Sequence, residues 1–239
     1  MRAPYNLAGY REAARRRLPR MVFEFIEGGA EDELSLRANR AAWEGLTFRP
    51  RVLTDTSTVS LATTVLGQEL ALPVLLAPTG LSRLAGADGE HAAAVAAHRV
   101  GTVSVLSTSA SVSIEELAAG TREPQWFQLY PWANRELTER LIARARAAGY
   151  RALVVTVDVP TSGGRERDQR FGMTVPPRIS PATVLGVARH PRWAARVATG
   201  PAITFATMLA EFPHLGAGAS TLAQQSAALM NPANTWADL

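Results

Sequence analysis

The sequence predicts an α/β fold of the (β/α)8 barrel type, with about the first four βα units present and a helical and hairpin segment before them. Three observations predict it. Four short apolar runs rich in β-branched residues recur from Leu72 onward, each short enough for a buried strand. Helical segments lie between them, and that alternation argues a parallel sheet. Each run also ends in polar groups: Ala77-Pro78-Thr79, then Ser107, then Gln128 and Tyr130, then Thr156 and Asp158. Polar exits on every strand, rather than at one switch point, favour a barrel over an open sheet. Four strands cannot close a barrel, so on geometry alone this is half of one.

The elements follow in order. Asn6 to about Arg17 reads as a helix, with Tyr10, Ala13 and Leu18 at helical spacing and Pro19 as its stop. Met21 to Glu27 is a second helical piece closed by Gly28-Gly29, and Ala30 to Arg40 a third with acids at its start. Phe48 to Arg51 and Asp55 to Leu66 read as extended chain and a small hairpin, expected to cover one end of the main domain. Strands are expected at 72–77, 102–107, 125–130 and 151–158. Helices are expected from about Asp88 to Arg99, from about Ser113 in a capping box with Glu116, and from about Asn134 to Ala148. After Asp158 the pattern breaks into a polar loop, Gly163 to Asp168, and Trp236 to Leu239 looks like the start of another helix. This divides the chain into 1–70 (helices and hairpin), 71–168 (first half of the barrel) and 169–239 (a long loop insertion and the next helix start).

Composition sets limits. At 239 residues, 47% hydrophobic and 19% charged, the chain suits one sizeable globular core. Without cysteine it has no disulfide, zinc–thiolate site or cysteine nucleophile, which fits a reducing, cytoplasmic setting. The N-terminus has no apolar signal-peptide core. All 25 basic residues are arginine, so no lysine serves here as base or Schiff-base former. They are dispersed and mostly interleaved with acids, so no nucleic-acid partner is expected. Of His91, His98, His190 and His214, the first two share one helix face; packing or solvation is expected for them, and no metal site. The stretch 169–210 has five arginines and no acidic residue. It reads as a loop folded over the site, or as a peripheral contact with an anionic membrane surface through Trp193, Phe205 and the arginines.

The polar exits are the candidate site. Thr156 and Asp158 are two apart, hence on one face of a strand, and burying them unpaired would be costly. They are either a ligand rim or a capped strand end, and the same two readings apply to Gln128 and Tyr130. Arg165 either binds an anion or pairs on the surface with Glu166 or Asp168.

Several stretches together resemble the FMN-dependent L-2-hydroxy acid dehydrogenases and oxidases, among them glycolate oxidase, L-lactate dehydrogenase and mandelate dehydrogenase. The carriers are Leu18-Pro-Arg-Met-Val22 with Glu27-Gly-Gly-Ala-Glu-Asp32, Ala77-Pro-Thr-Gly80, Leu106-Ser-Thr108, Trp126-Phe-Gln-Leu-Tyr130, Thr156-Val-Asp158 and Arg165-Glu-Arg-Asp168, in family order and spacing. His190-Pro-Arg-Trp193 leans toward the membrane-associated branch. The resemblance implies FMN as cofactor, with Ala77, Pro78, Thr79 and Gly80 along the flavin edge and Ser107, Gln128 and Thr156 at the polar end of the ring. It implies that Tyr130 touches substrate, that Asp158 holds a catalytic histidine, and that Arg165 helps bind the substrate carboxylate. Phe25 stands where the family usually has a tyrosine, and Ser109 where some members have a bulkier tryptophan.

The implied activity is oxidation of an L-2-hydroxy acid, such as lactate or mandelate, to the 2-keto acid, with a quinone or other electron acceptor and a homo-oligomeric intact enzyme. The implied location is cytoplasmic, or peripheral at the inner face of the cell membrane. The family's flavin-contacting lysine, catalytic histidine, main carboxylate-binding arginine and phosphate loops lie on later strands. The alternative for this chain is therefore a truncated, catalytically inactive half-barrel. A non-flavin barrel enzyme for a phosphorylated metabolite is a third reading, with less in the sequence to support it.

Overall fold

Three parallel strands in the order β3-β4-β5 form the sheet of this computed structural model: β3 is Val105–Leu106, β4 Trp126–Leu129 and β5 Ala152–Val155. The structure describes residues 3–121, 123, 125–158, 163–174, 177–212 and 231–238. Val105 faces Trp126 and Leu106 faces Phe127; Trp126 to Leu129 face Ala152 to Val155. The strand expected at 72–77 is reduced to a single parallel bridge between Leu76 and Ser104. Leu76 donates to Val103 at 3.0 Å and Val105 donates back to Leu76 at 3.0 Å. Pro73 and Pro78 lack the N–H groups that a longer ladder needs, which limits pairing to this point. The strands expected at 102–107 and 151–158 are likewise shorter than the apolar runs that announced them. The sheet described is therefore three strands and a bridge, and among the described residues it does not close into a barrel.

Alternation along each strand divides the core in two. Leu106, Phe127 and Leu129 face the helical layer and pack with Ile114, Leu117, Leu137 and Leu141, all almost wholly buried. Val103, Val105 and Trp126 face the other way and pack with Leu70. Leu70 belongs to an antiparallel hairpin, β1 (Thr63–Val65) and β2 (Gln68–Leu70), turned by Leu66 and Gly67 at φ 50° and 75°. Two successive positive φ values make the turn whose twist matches paired strands. The Trp126 indole donates to Gln68 at 3.0 Å. The hairpin thus closes the end where the strands begin, opposite their polar exits.

The crossover helices are α4 (Gly89–Arg99), α5 (Ile114–Gly120) and α6 (Arg135–Ala147). Asn134 caps α6 by accepting from the Leu137 N–H at 3.0 Å. Ser113 caps α5 in the same way through the Glu116 N–H, but the Glu116 carboxylate turns to Arg83 at 2.6 Å, so only half of the expected capping box forms.

At the N-terminus, α1 (Leu7–Arg17) is capped by Asn6 and α2 (Arg20–Glu27) follows Pro19. Helix α3 (Leu34–Glu44) begins later than its acidic start suggested, because Glu31 and Glu33 take positive φ of 48° and 57°. Glu33 instead accepts from the Gly29 N–H and pairs with Arg167 at 2.7 Å. Arg167 lies on α7 (Glu166–Phe171) and also reaches Glu24 at 3.1 Å, clamping α2 to the chain beyond β5.

The stretch 169–210, read as a loop, is largely helical: α8 is Pro181–Ala188, α9 Pro191–Thr199 and α10 Ala206–Leu209. Proline opens both α8 and α9 at the first helical positions, where a missing N–H costs no hydrogen bond. Met208 is buried in the same core as Phe127, so part of this stretch belongs to the domain interior.

Candidate functional site

Ser107, Gln128 and Thr156 lie on one face of adjacent strand ends, continuing the face that carries Val105, Trp126 and Val154. Gln128 is 2% exposed, and its side chain bonds to both neighbouring strand exits while one amide hydrogen keeps no partner among these contacts. Its Oε1 accepts from the Thr108 N–H at 3.1 Å and from the Ser107 hydroxyl at 3.3 Å. Its Nε2 donates to the Thr156 hydroxyl at 2.7 Å. Ser107 also accepts from the Ser109 N–H at 3.1 Å. A glutamine and two hydroxyls at the mouth of an apolar sheet are thereby satisfied mutually.

Tyr130 and Asp158 continue the row outward. The Tyr130 ring is half-buried and tilted against Trp132, with 5.5 Å between centroids. Burial, and secondarily the Asp158 carboxylate, raise the Tyr130 hydroxyl above its ordinary pKa, so it stays protonated well past neutral pH. Asp158 itself is exposed. On the other side of the row, Ala77, Pro78 and Thr79 form an exposed turn after the Leu76 bridge. The N–H groups of Ala77, Thr79 and Gly80 make no hydrogen bond to another described residue. Gly80 has a packing reason of its own: a Cβ there would meet the Ser109 carbonyl oxygen and Cβ at 3.1 Å. Leu81 follows at φ 52°, a conformation that costs a β-carbon-bearing residue about 1 kcal/mol.

Phe25 and Arg165 meet although 140 residues separate them. The Arg165 guanidinium lies 5.2 Å from the Phe25 ring centroid and donates to the Phe25 carbonyl oxygen. The same guanidinium is held by Asp168, with Nε at 2.6 Å and the second contact at 3.2 Å. Of the partners considered from sequence, Asp168 is therefore the one used. Arg165 still has an Nη1 that makes none of these contacts.

Two supporting residues carried no assignment in the sequence reading. Thr108 is wholly buried; its N–H and hydroxyl both reach Gln128, the hydroxyl donating to the backbone oxygen at 2.5 Å. Its only signals were its place directly after Ser107 and in the stretch Leu106-Ser-Thr108. Glu90 lies in the first turn of α4. It is 6% exposed and accepts from Ser82 N–H, Ser111 N–H and the Ser111 hydroxyl at 3.1, 2.9 and 2.7 Å. It ties the turn after Gly80 to the one after Ser109. Neither link is local in sequence, so no pattern reveals it.

The histidines do not converge. His91 lies 3.7 Å from Glu116, His98 contacts Gln125 at 2.9 Å with its pKa lowered by burial, and His190 contacts the Gly186 carbonyl at 2.8 Å. His214 lies outside the described residues. Among the described residues, no group of three or more His, Asp or Glu is placed to hold a metal.

A family model described as FMN-dependent dehydrogenase matches residues 14–239. The chain belongs to that family. A curated L-lactate oxidase of Nostoc sp. (strain PCC 7120) is 41% identical over 99% of this chain and 60% of its own length. Glycolate oxidase 5 of Oryza sativa subsp. japonica is 41% identical over 73% of this chain and 47% of its own. The crystal structure of a monotopic membrane protein, (S)-mandelate dehydrogenase, superposes with a TM-score of 0.90 at 35% identity, covering 99% of this chain and 62% of that one. The chain thus spans about half to three fifths of the length of its relatives.

FMN is the cofactor of this family, and the residues present suit its ring. A flat heterocycle with alternating donors and acceptors needs both kinds of group along one edge. The row at Ser107, Gln128 and Thr156 has both, and the backbone N–H groups of Ala77, Thr79 and Gly80 follow the neighbouring Leu76 bridge.

Proposed function

We propose that this chain supplies the flavin-ring side, and part of the substrate side, of an enzyme that oxidises an L-2-hydroxy acid such as lactate or mandelate to the 2-keto acid. The hydrogen-bonded row of Ser107, Gln128 and Thr156 at three adjacent strand exits supports this reading. When bound, FMN supplies the acceptor for the hydride from the substrate's α-carbon. Ser107, Gln128 and Thr156 would hydrogen-bond the polar end of the ring and fix its orientation. The Ala77–Gly80 turn would line its edge.

The remaining residues act on the substrate. Tyr130, kept protonated, has a hydroxyl proton to donate to a substrate oxygen. Asp158 would orient and charge-stabilise the imidazolium of a catalytic histidine. Arg165 would offer its uncommitted Nη1 to the substrate carboxylate, while Asp168 and Phe25 hold the guanidinium in place. Phe25 has no hydroxyl to give that carboxylate, and Ser109 leaves more room than a tryptophan would, so a bulkier 2-substituent is accommodated. The electron acceptor would be a quinone or a similar carrier.

Peripheral membrane contact through 169–210 is part of the proposal. Ile179, Val184 and Leu185 are exposed there, arginines flank them, and the stretch has no acid. No described helix is long and apolar enough to cross a membrane.

A second reading, an inactive half-barrel, is favoured by the exposed edge at β5, where Leu153 is 40% and the following Val157 59% exposed. One experiment addresses both. Residues 1–239 are purified with FMN, desalted, and their visible spectrum recorded; lactate, mandelate and glycolate are then supplied with an artificial electron acceptor. Retained flavin absorbance that Gln128→Leu abolishes, without turnover by the chain alone, is expected. A colourless protein would remove the assigned ring contacts from this chain, and measurable 2-keto acid would remove the inactive reading.

A further inference from the structure

A cavity of about 530 Å³ lies away from the strand exits, between the start of α2, the end of α7 and the start of α8. Its lining includes Arg20, Arg170, Arg178 and Arg189, together with Ser180 and Thr183, and among the described residues no carboxylate lines it. It shares no residue with the row at Ser107, Gln128 and Thr156. Arg165, the N-cap of α7, does not line it, whereas Arg170 in the last turn does.

The charges there are unbalanced. Arg20 has a partner, Glu24 at 3.4 Å, but Glu24 is shared with Arg167. Among the described residues, Arg170, Arg178 and Arg189 make no ion pair. Three like charges around one space repel each other unless an anion lies between them. The start of α8 adds to the effect. Ser180 satisfies the Thr183 N–H at 3.1 Å and Pro181 has none, which leaves the Ala182 N–H free beside the cavity with the positive end of the helix dipole. Arg20 is itself positioned by the Phe171 ring, 4.3 Å from its centroid.

We propose that this cavity binds a phosphate-bearing anion. A monocarboxylate would offset one of the three charges. A phosphomonoester or pyrophosphate group carries close to two charges or more and presents oxygens that suit several guanidinium forks and a helix N-terminus together. The cavity is also within the size range of small-molecule sites, larger than one phosphate needs. The ligand is thus a phosphate group on a larger body, either a soluble metabolite or a phospholipid headgroup. The inference does not depend on the flavin reading, because it uses none of the same residues.

The test uses residues 1–239 and two probes at constant ionic strength: sodium pyrophosphate by titration calorimetry, and phosphatidylcholine vesicles with and without phosphatidylserine by co-sedimentation. The variant is Arg170→Gln/Arg178→Gln/Arg189→Gln. The control, Arg49→Gln/Arg51→Gln/Arg99→Gln, removes equal charge from exposed positions elsewhere. Saturable pyrophosphate binding that weakens about tenfold or more in the variant but not in the control is expected. Arg189→Gln alone should weaken it by a smaller factor, which keeps the test decisive if the triple variant folds poorly. Pyrophosphate competing the chain off phosphatidylserine vesicles identifies a headgroup ligand; pyrophosphate binding without vesicle binding identifies a soluble one. No saturable binding to either probe, or equal losses in variant and control, overturns the proposal.

Discussion

Replacing Gln128 by leucine tests whether the row at the strand exits is built as described. Leucine nearly matches glutamine in volume and leaves the packing of β4 unchanged, so the effect isolates the polar contacts. The Thr108 N–H loses its acceptor at a wholly buried position, and the Ser107 and Thr156 hydroxyls lose a partner. An unsatisfied buried donor costs about 1–3 kcal/mol. Thr156 is only partly buried and can turn to water, and Ser107 keeps the Ser109 N–H, so these contribute less. Leucine gains about 1 kcal/mol from apolar burial. The net expectation is a loss of about 2 kcal/mol, or about 4–8 °C in Tm for a chain of this size. Urea unfolding followed by far-ultraviolet circular dichroism, fitted with a common m-value, measures it. An unchanged midpoint would mean that Thr108 and Gln128 are not sealed from water, and the reasoning about a pre-built row would fail.

Two other predictions follow. Tyr150 donates to the Ile114 carbonyl at 3.0 Å, and burial, with the Glu115 carboxylate second, raises its pKa above the ordinary tyrosine value. The folded state therefore holds this proton longer than the unfolded chain does. Stability is retained below the unfolded pKa of about 10 and falls as pH rises from there toward the folded value. Tyr150→Phe should cost about 1 kcal/mol at pH 7 and show a flatter decline above about pH 10; a constant gap between the two proteins across that range would contradict the assignment. Asn134→Ala removes the cap of α6 and should cost about 1 kcal/mol, while Asn134→Ser should recover most of it in the same unfolding assay.

The sequence alone determined the alternation of strand and helix, three strands within the expected runs 102–107, 125–130 and 151–158, and the fact that their exits are polar. These follow from local periodicity, because hydrophobic spacing and turn residues act within a few positions. The same logic placed α2, α4, α5 and α6 close to where they are, whereas the hairpin expected within 55–66 forms at 63–70. This logic failed where tertiary contacts outweigh local signals. The strand at 72–77 shrinks to a bridge because partners for its backbone are limited, and α3 starts late because Glu33 is drawn to Gly29 and Arg167. The helices in 169–210 were hidden because they are short and are held by packing on α2, on each other and on the Phe127 core rather than by a local pattern.

For the site, chemistry and face were legible and connectivity was not. Ser107, Gln128 and Thr156 are identifiable as strand-end polar groups, but their hydrogen bonds to each other depend on strand order and register. Arg165 reaching Phe25, Glu90 joining two turns, and the arginines around the α2–α7–α8 cavity all bring together residues far apart in the chain. Such contacts are set by how elements pack in three dimensions, a long-range property that no pattern within one segment encodes.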